Sequence, residues 1–339
     1  MLRTIFAASA LAMCLNSIAI PTDFRAQTPA NSFNATPPKT PGILGKRRSL
    51  ETLAILSKIP VPGGPDWLAM GYGSVWVSNA PDNSISRINP QSATVIAKIT
   101  VGQDPCLGIG IGFESVWIPN CKDKSLSQID PKTNQVVRTT PIEIAGEGEG
   151  TIGVGEGSIW LLSNRRGTDS GTLSRISPRT GKVITDIAVP AKSYVALVGF
   201  GSVWVTSTGG NAVLRIDPGA RRVLAKINVH RTPRFTAIGA GSVWVLNQSD
   251  GTVSRIDPAT NRVAATIAVG VPGAGGDIAV GGGSVWVSSN GLPVSRINPL
   301  TNRVVRQFAG GEGADAIRYG FGFVWVSDHK HGEVWKIRP

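Results

Sequence analysis

From about Leu50 to the C-terminus the chain is written in short runs of alternating apolar and polar residues, grouped four to a unit, and the units repeat. The sixth unit serves as the worked case. Asp277-Ile278-Ala279-Val280 reads as a first strand, Gly281-Gly282-Gly283 as a tight hairpin, and Ser284-Val285-Trp286-Val287-Ser288 as a second strand. After the loop Ser289 to Leu292, Val294-Ser295-Arg296-Ile297 is a third strand. Asn298-Pro299-Leu300-Thr301-Asn302 then turns the chain into a fourth, Arg303 to Phe308.

Two signals mark the repeat. A tryptophan recurs in the second strand at Trp76, Trp117, Trp160, Trp204, Trp244, Trp286 and Trp325, at intervals of 39 to 44 residues, mostly as Gly-Ser-Val-Trp-Val. A turn recurs between third and fourth strands as Asn89-Pro90, Asp130-Pro131, Ser177-Pro178, Asp217-Pro218, Asp257-Pro258 and Asn298-Pro299. There the short polar side chain bonds the backbone ahead of it and proline presets φ. Nothing in the repeat is helical in period.

Four short strands every forty-odd residues predict an all-β fold, a seven-bladed β-propeller of four antiparallel strands per blade, whose radial packing protects the sheet edges. The seventh unit stops at Val334-Trp335-Lys336-Ile337-Arg338-Pro339, after its third strand. Leu53 to Val61 matches the outer strands Val95 to Val101 and Val263 to Val269, so the N-terminal strand is expected to complete the last blade. The repeated tryptophans are read as packing between blades.

Composition adds the ends of the chain and the partners. Residues 1–21 have the basic start and apolar run of a signal peptide, too short and interrupted to span a bilayer. Leu11-Ala12-Met13-Cys14 places a cysteine as a lipoprotein box would, although Met13 is bulky where a small residue is wanted. Residues 22–49, rich in Pro, Thr, Asn and Ser, read as a disordered linker, leaving 50–339 as the propeller. A periplasmic or secreted monomer is expected, with no transmembrane segment after signal removal.

The formal net charge of +12 favours anionic neighbours. Its spread over the repeats argues for a soluble surface and against nucleic acid. A small molecule, a peptide or an envelope component is the expected partner.

Cys106 and Cys121 flank the first hairpin of the second repeat, and counting outward from Phe113-Glu114 sets them opposite each other on adjacent strands. A disulfide is predicted, since a two-cysteine metal site would lack further ligands nearby.

Candidate chemistry lies in the loops from second to third strand and from blade to blade, which crowd one end of the channel. Three residues after each repeat tryptophan stand Asn79, Asn120, Ser163, Ser207, Asn247, Ser289 and Asp328. These either bond loop backbone at the strand ends or touch a ligand. The blade-to-blade loops carry Asp66, Asp104, Glu147, Glu149, Asp277, Glu312 and Asp315 among acids, and Lys192, His230, Arg231 and Arg234 among bases. Asp328 with His329 and His230 is the one set suited to a divalent metal or a general base, and solvated loop residues are the alternative. The ligand-binding candidates are Asn79, Asn120, Asn247, Asp328, His329, His230, Arg231 and Arg234.

Val75-Trp76-Val77-Ser78-Asn79, the stretch Ser254 to Val263 and Thr266-Ile267-Ala268-Val269-Gly270 resemble the YVTN-type β-propeller repeat across nearly all of 50–339. By pattern the chain is also similar to the streptogramin (virginiamycin B) lyase family. That resemblance implies a seven-bladed enzyme opening a cyclic ester by elimination, with Mg²⁺, acidic ligands and a histidine base. Lyase blades carry Glu three residues after the strand aromatic, a position that here is Asn, Ser or Asp, so only Asp328 and His329 carry over. Three expectations result: an exported binding or interaction propeller with a channel-face site and no cofactor; a Mg²⁺-dependent lyase of the virginiamycin B type; and a cationic cell-envelope scaffold or adhesion protein.

Overall fold

In the computed structural model the described residues are 42–339, apart from 107, 145–151, 164–169, 271, 274 and 290. The signal peptide, the linker up to residue 41, Cys14, Glu147 and Glu149 lie outside them. Seven antiparallel sheets form a ring, and each holds one repeat tryptophan, by which the blades are numbered. Blade 1 comprises Pro65–Gly71, Ser74–Asn79, Ser84–Asn89 and Thr94–Thr100, ordered from channel to rim. The inner strands touch in cyclic order, with Ala314–Gly320 of blade 7 against Pro65–Gly71 of blade 1.

The ring closes through the N-terminal strand, as the pattern predicts. Ile55–Pro60 lies antiparallel to Glu333–Ile337, with Ile59 opposite Val334, and supplies the outer strand of blade 7. Just before it, Arg47–Ser49 pairs in parallel with the outer strand of blade 6, Arg48 opposite Phe308, and makes that sheet five-stranded. The side chain of Gln307 anchors this strap by accepting from the Ile43 amide at 2.6 Å.

Each repeat tryptophan is buried, and its indole Nε1 donates to the carbonyl of the glycine five residues back, at 3.0 to 3.1 Å. Shape and polarity are thus satisfied together, which a buried indole requires. An arginine of the third strand covers the ring: Arg87 sits 4.9 Å from the Trp76 centroid, and Arg175, Arg215, Arg255 and Arg296 repeat the contact. The same guanidinium reaches the next blade. Arg87, Arg175, Arg215 and Arg255 donate to the carbonyls of Pro131, Pro218, Pro258 and Pro299 at 2.5 to 3.4 Å. Part of the positive charge is therefore a clasp between blades, using the forked geometry that lysine lacks.

Each outer strand carries a β-bulge at one place. The register skips Leu56, Ile96, Val137, Ile184, Leu224, Ala264 and Val305, one in each blade. The turns before six of these strands are held by their first residue. In blade 4, the amides of Ala220 and Gly219 donate to Asp217 and hold its carboxyl below the ordinary carboxylate range.

Antiparallel order gives the ring two different ends. At the turn end, hairpins joining first to second strands circle the channel and the turns joining third to fourth strands lie outside them. At the loop end are the second-to-third connections and the passages between blades.

Candidate functional site

The loop end of the channel is closed by two aromatic side chains from nearly opposite blades. Trp67 of blade 1 and Phe235 of blade 5 meet with ring centroids 5.6 Å apart and planes at 59°, and both are buried. In four of the other blades the equivalent place holds a smaller residue: Gly108, Val195, Asp277 and Ala316. Two large rings can therefore cross the axis and touch.

Around the pair lies a shallow, open depression lined by Asp66, Trp67, Phe235, Gly276, Asp277, Asp315 and Ala316. The indole Nε1 of Trp67 is buried with no hydrogen-bond partner. Asp315 accepts from the Gly276 amide at 3.2 Å. Asp277 is buried and accepts from the amides of Ile278 and Ile317, at 2.8 and 3.1 Å, and from Arg318. Burial pushes the Asp277 carboxyl up, and the Arg318 guanidinium pulls against that shift. Beside Phe235, Arg234 stacks 4.6 Å from the ring of Tyr194 and donates to Gln248 at 3.4 Å. The mouth thus combines apolar rings, carboxylates and one stacked guanidinium, a mixture suited to amphipathic ligands.

Several sequence candidates stand elsewhere. Asn79, Asn120 and Asn247 are inside their blades, where each amide donates to two hydroxyls of the neighbouring third strand, Ser84 and Ser86 for Asn79. With no exposed surface they brace strand ends.

Asp328 is 1% exposed and bound by His331, through Nδ1 at 2.8 Å and the backbone amide at 3.2 Å. His329, the expected base, is exposed, and its amide donates to Gly313. His230 lies 3.5 Å from Asp250, which also takes the amide and Nε of Arg231, each at 2.6 Å. The expected set of Asp328, His329 and His230 does not bring its ligand atoms together: Asp328 is engaged by His331, and His230 lies beside Asp250. These residues do not fit a Mg²⁺ centre, which wants several carboxylate oxygens converging on one point.

Among the described residues only Asp104, Cys106 and Cys121 have possible ligand atoms that close together, and the two sulfurs are joined in a disulfide with Cα atoms 5.9 Å apart. Its register is the predicted one, with Gly112 opposite Ser115 and Gly110 opposite Trp117.

The residues missed in the sequence are Trp67, Phe235 and Tyr194. For Trp67 and Phe235 the signal was a ring where the counterpart positions of the inner strands hold smaller residues.

The structure is similar to streptogramin B lyase, with a TM-score of 0.71, 16% identity and coverage of 83% of this chain and 96% of that one. It is similar in the same degree to a catalytically inactive virginiamycin B lyase from Staphylococcus aureus with quinupristin (TM-score 0.71, 17% identity, 84% and 98% covered). Hydrazine synthase from Kuenenia stuttgartiensis also matches, at a TM-score of 0.65 and 12% identity over 88% and 99%. The chain has the fold of the streptogramin B lyase propellers. No family model matches the sequence, and no curated protein is similar to it. At such identities the likeness carries the fold and not the chemistry.

Proposed function

We propose that this protein is an exported binding propeller whose ligand or partner sits on the loop end of the channel, against Trp67 and Phe235. The carrying observation is the meeting of these rings across the axis beside a depression edged by Asp66 and Asp315, with Arg234 stacked on Phe235. Rigid rings set among fixed carboxylates favour binding with little ordering cost. The Cys106–Cys121 disulfide supports an oxidising compartment, hence a periplasmic or secreted location. Among the described residues no helix is long and apolar enough to cross a membrane.

The test is a thermal-shift series with quinupristin and short amphipathic peptides, with and without Mg²⁺, on the native protein and on Trp67→Ala and Phe235→Ala. The expected result is stabilisation that does not need Mg²⁺ and is lost in both variants. A lyase reading draws on the named structural relatives and on Asp328 and His329. It would displace the binding reading if quinupristin were opened in the presence of Mg²⁺ and His329→Ala abolished the turnover.

A further inference from the structure

The two ends of the ring differ in what they expose. Every large hydrophobic side chain exposed among the described residues lies at the turn end or on the rim beside it, with the single exception of Leu44. Four are aromatic and occupy the first position of an inner hairpin: Tyr72, Phe113, Phe200 and Phe321, exposed by 38 to 41%. Leu300 stands 88% exposed on an outer turn, and six of the bulge residues, from Leu56 to Val305, ring the adjacent rim.

The four aromatics also hold an unfavourable backbone conformation. Their φ values are 50, 53, 52 and 56°, in the left-handed region that bulky residues avoid and that Asn or Gly fills at little cost. In blade 6 the same position is Gly282, which shows that the turn itself asks for no aromatic. Strain of this kind persists where it serves a function.

Outside the aromatic ring the turns between third and fourth strands carry the exposed cations Lys132, Arg179 and Arg221, and the fourth strands open on the exposed Arg222, Arg262 and Arg303. Among the described residues none of the six is in an ion pair. The acids of this end are Glu114 and Glu156 on the inner hairpins and the turn residues Asp130, Asp217 and Asp257. The carboxylates of the last three are engaged by amides of their own turns.

We infer that the turn end is a docking face for an anionic lipid bilayer, with the aromatic tips entering the headgroup layer and the outer ring of Arg and Lys meeting lipid phosphates. Exposed aromatic tips repeated around a ring match a flat fluid partner. Aromatic side chains favour the membrane interface, and each basic residue near an anionic surface adds to the attraction. Docked in this way, the ring would turn the Trp67–Phe235 mouth away from the bilayer. The inference stands apart from the ligand reading, since the two use opposite ends of the ring.

The test is co-sedimentation of the full chain with phosphatidylcholine vesicles, with and without phosphatidylglycerol. The native protein is expected to bind only the anionic vesicles, and less as salt is raised. A variant with Tyr72, Phe113, Phe200 and Phe321 all replaced by Asn relaxes the four turns, so its melting temperature is expected to hold or rise while partitioning falls about tenfold or more. A second variant, with Arg179, Arg221, Arg222 and Arg262 replaced by Gln, is expected to lose the preference for phosphatidylglycerol. Equal binding by the native chain and the Asn variant would assign the attachment to another segment and overturn the inference. So would capture of an acidic polysaccharide with no binding to vesicles.

Discussion

Lys336, in the last strand of the chain, donates to the carbonyl oxygen of Pro90 in the first blade at 2.7 Å. Its ammonium also lies 4.2 Å from the ring centroid of Phe323 and 5.9 Å from that of Trp325. It does for the seam between blades 7 and 1 what arginines do at four other seams. Ring closure therefore has two parts, the pairing of Ile55–Pro60 with Glu333–Ile337 and this clasp.

Replacing Lys336 with Met keeps the volume and removes the donor, leaving a buried carbonyl less satisfied. A loss of about 1–3 kcal/mol is expected. Lys336→Arg should recover most of it. Chemical denaturation of the three proteins, compared at one pH, measures both.

Ile59 is 3% exposed and packs among Val61, Leu68, Val75 and Val334, residues of blades 1 and 7. Ile59→Ala should cost about 2–5 kcal/mol, because the cavity opens in the strand that holds the ring together. The exposed neighbour Lys58 gives the control: Lys58→Ala should change stability by about 0.5 kcal/mol or less. A loss at Ile59→Ala of no more than about 0.5 kcal/mol would mean that the closing strand contributes nothing through its buried face.

The Asp277–Arg318 pair predicts a pH dependence. Burial already raises the Asp277 pKa above its ordinary value, and Arg318→Met removes the cation that opposes the shift. An acid whose folded pKa lies above its unfolded pKa binds more protons in the folded state between the two. Stability then falls as pH rises through that window. Arg318→Met should therefore cost about 3–5 kcal/mol at neutral pH and progressively less as the medium is made acidic. Thermal melts of native and variant protein across pH would show the gap closing at low pH. A constant or widening gap on acidification refutes it.

The blade count, the turn chemistry, the closing strand and the Cys106–Cys121 register were all legible in the sequence. Each is written locally: strand period, an Asn-Pro or Asp-Pro turn, or a count of residues outward from one hairpin. The hairpin at Phe113-Glu114 needs no knowledge of any other blade to set Cys106 opposite Cys121.

Tertiary structure alone decided the meeting of Trp67 with Phe235, the reach of Arg87 to Pro131, the choice of His331 over His329 by Asp328, and the gathering of exposed aromatics at one end. Strand period says which side of a sheet a residue faces, but not which blade stands across the channel or how a loop side chain turns once the strand ends. Those relations arise when seven sheets are bent into a ring of one circumference, and that closure is a property of all the blades at once.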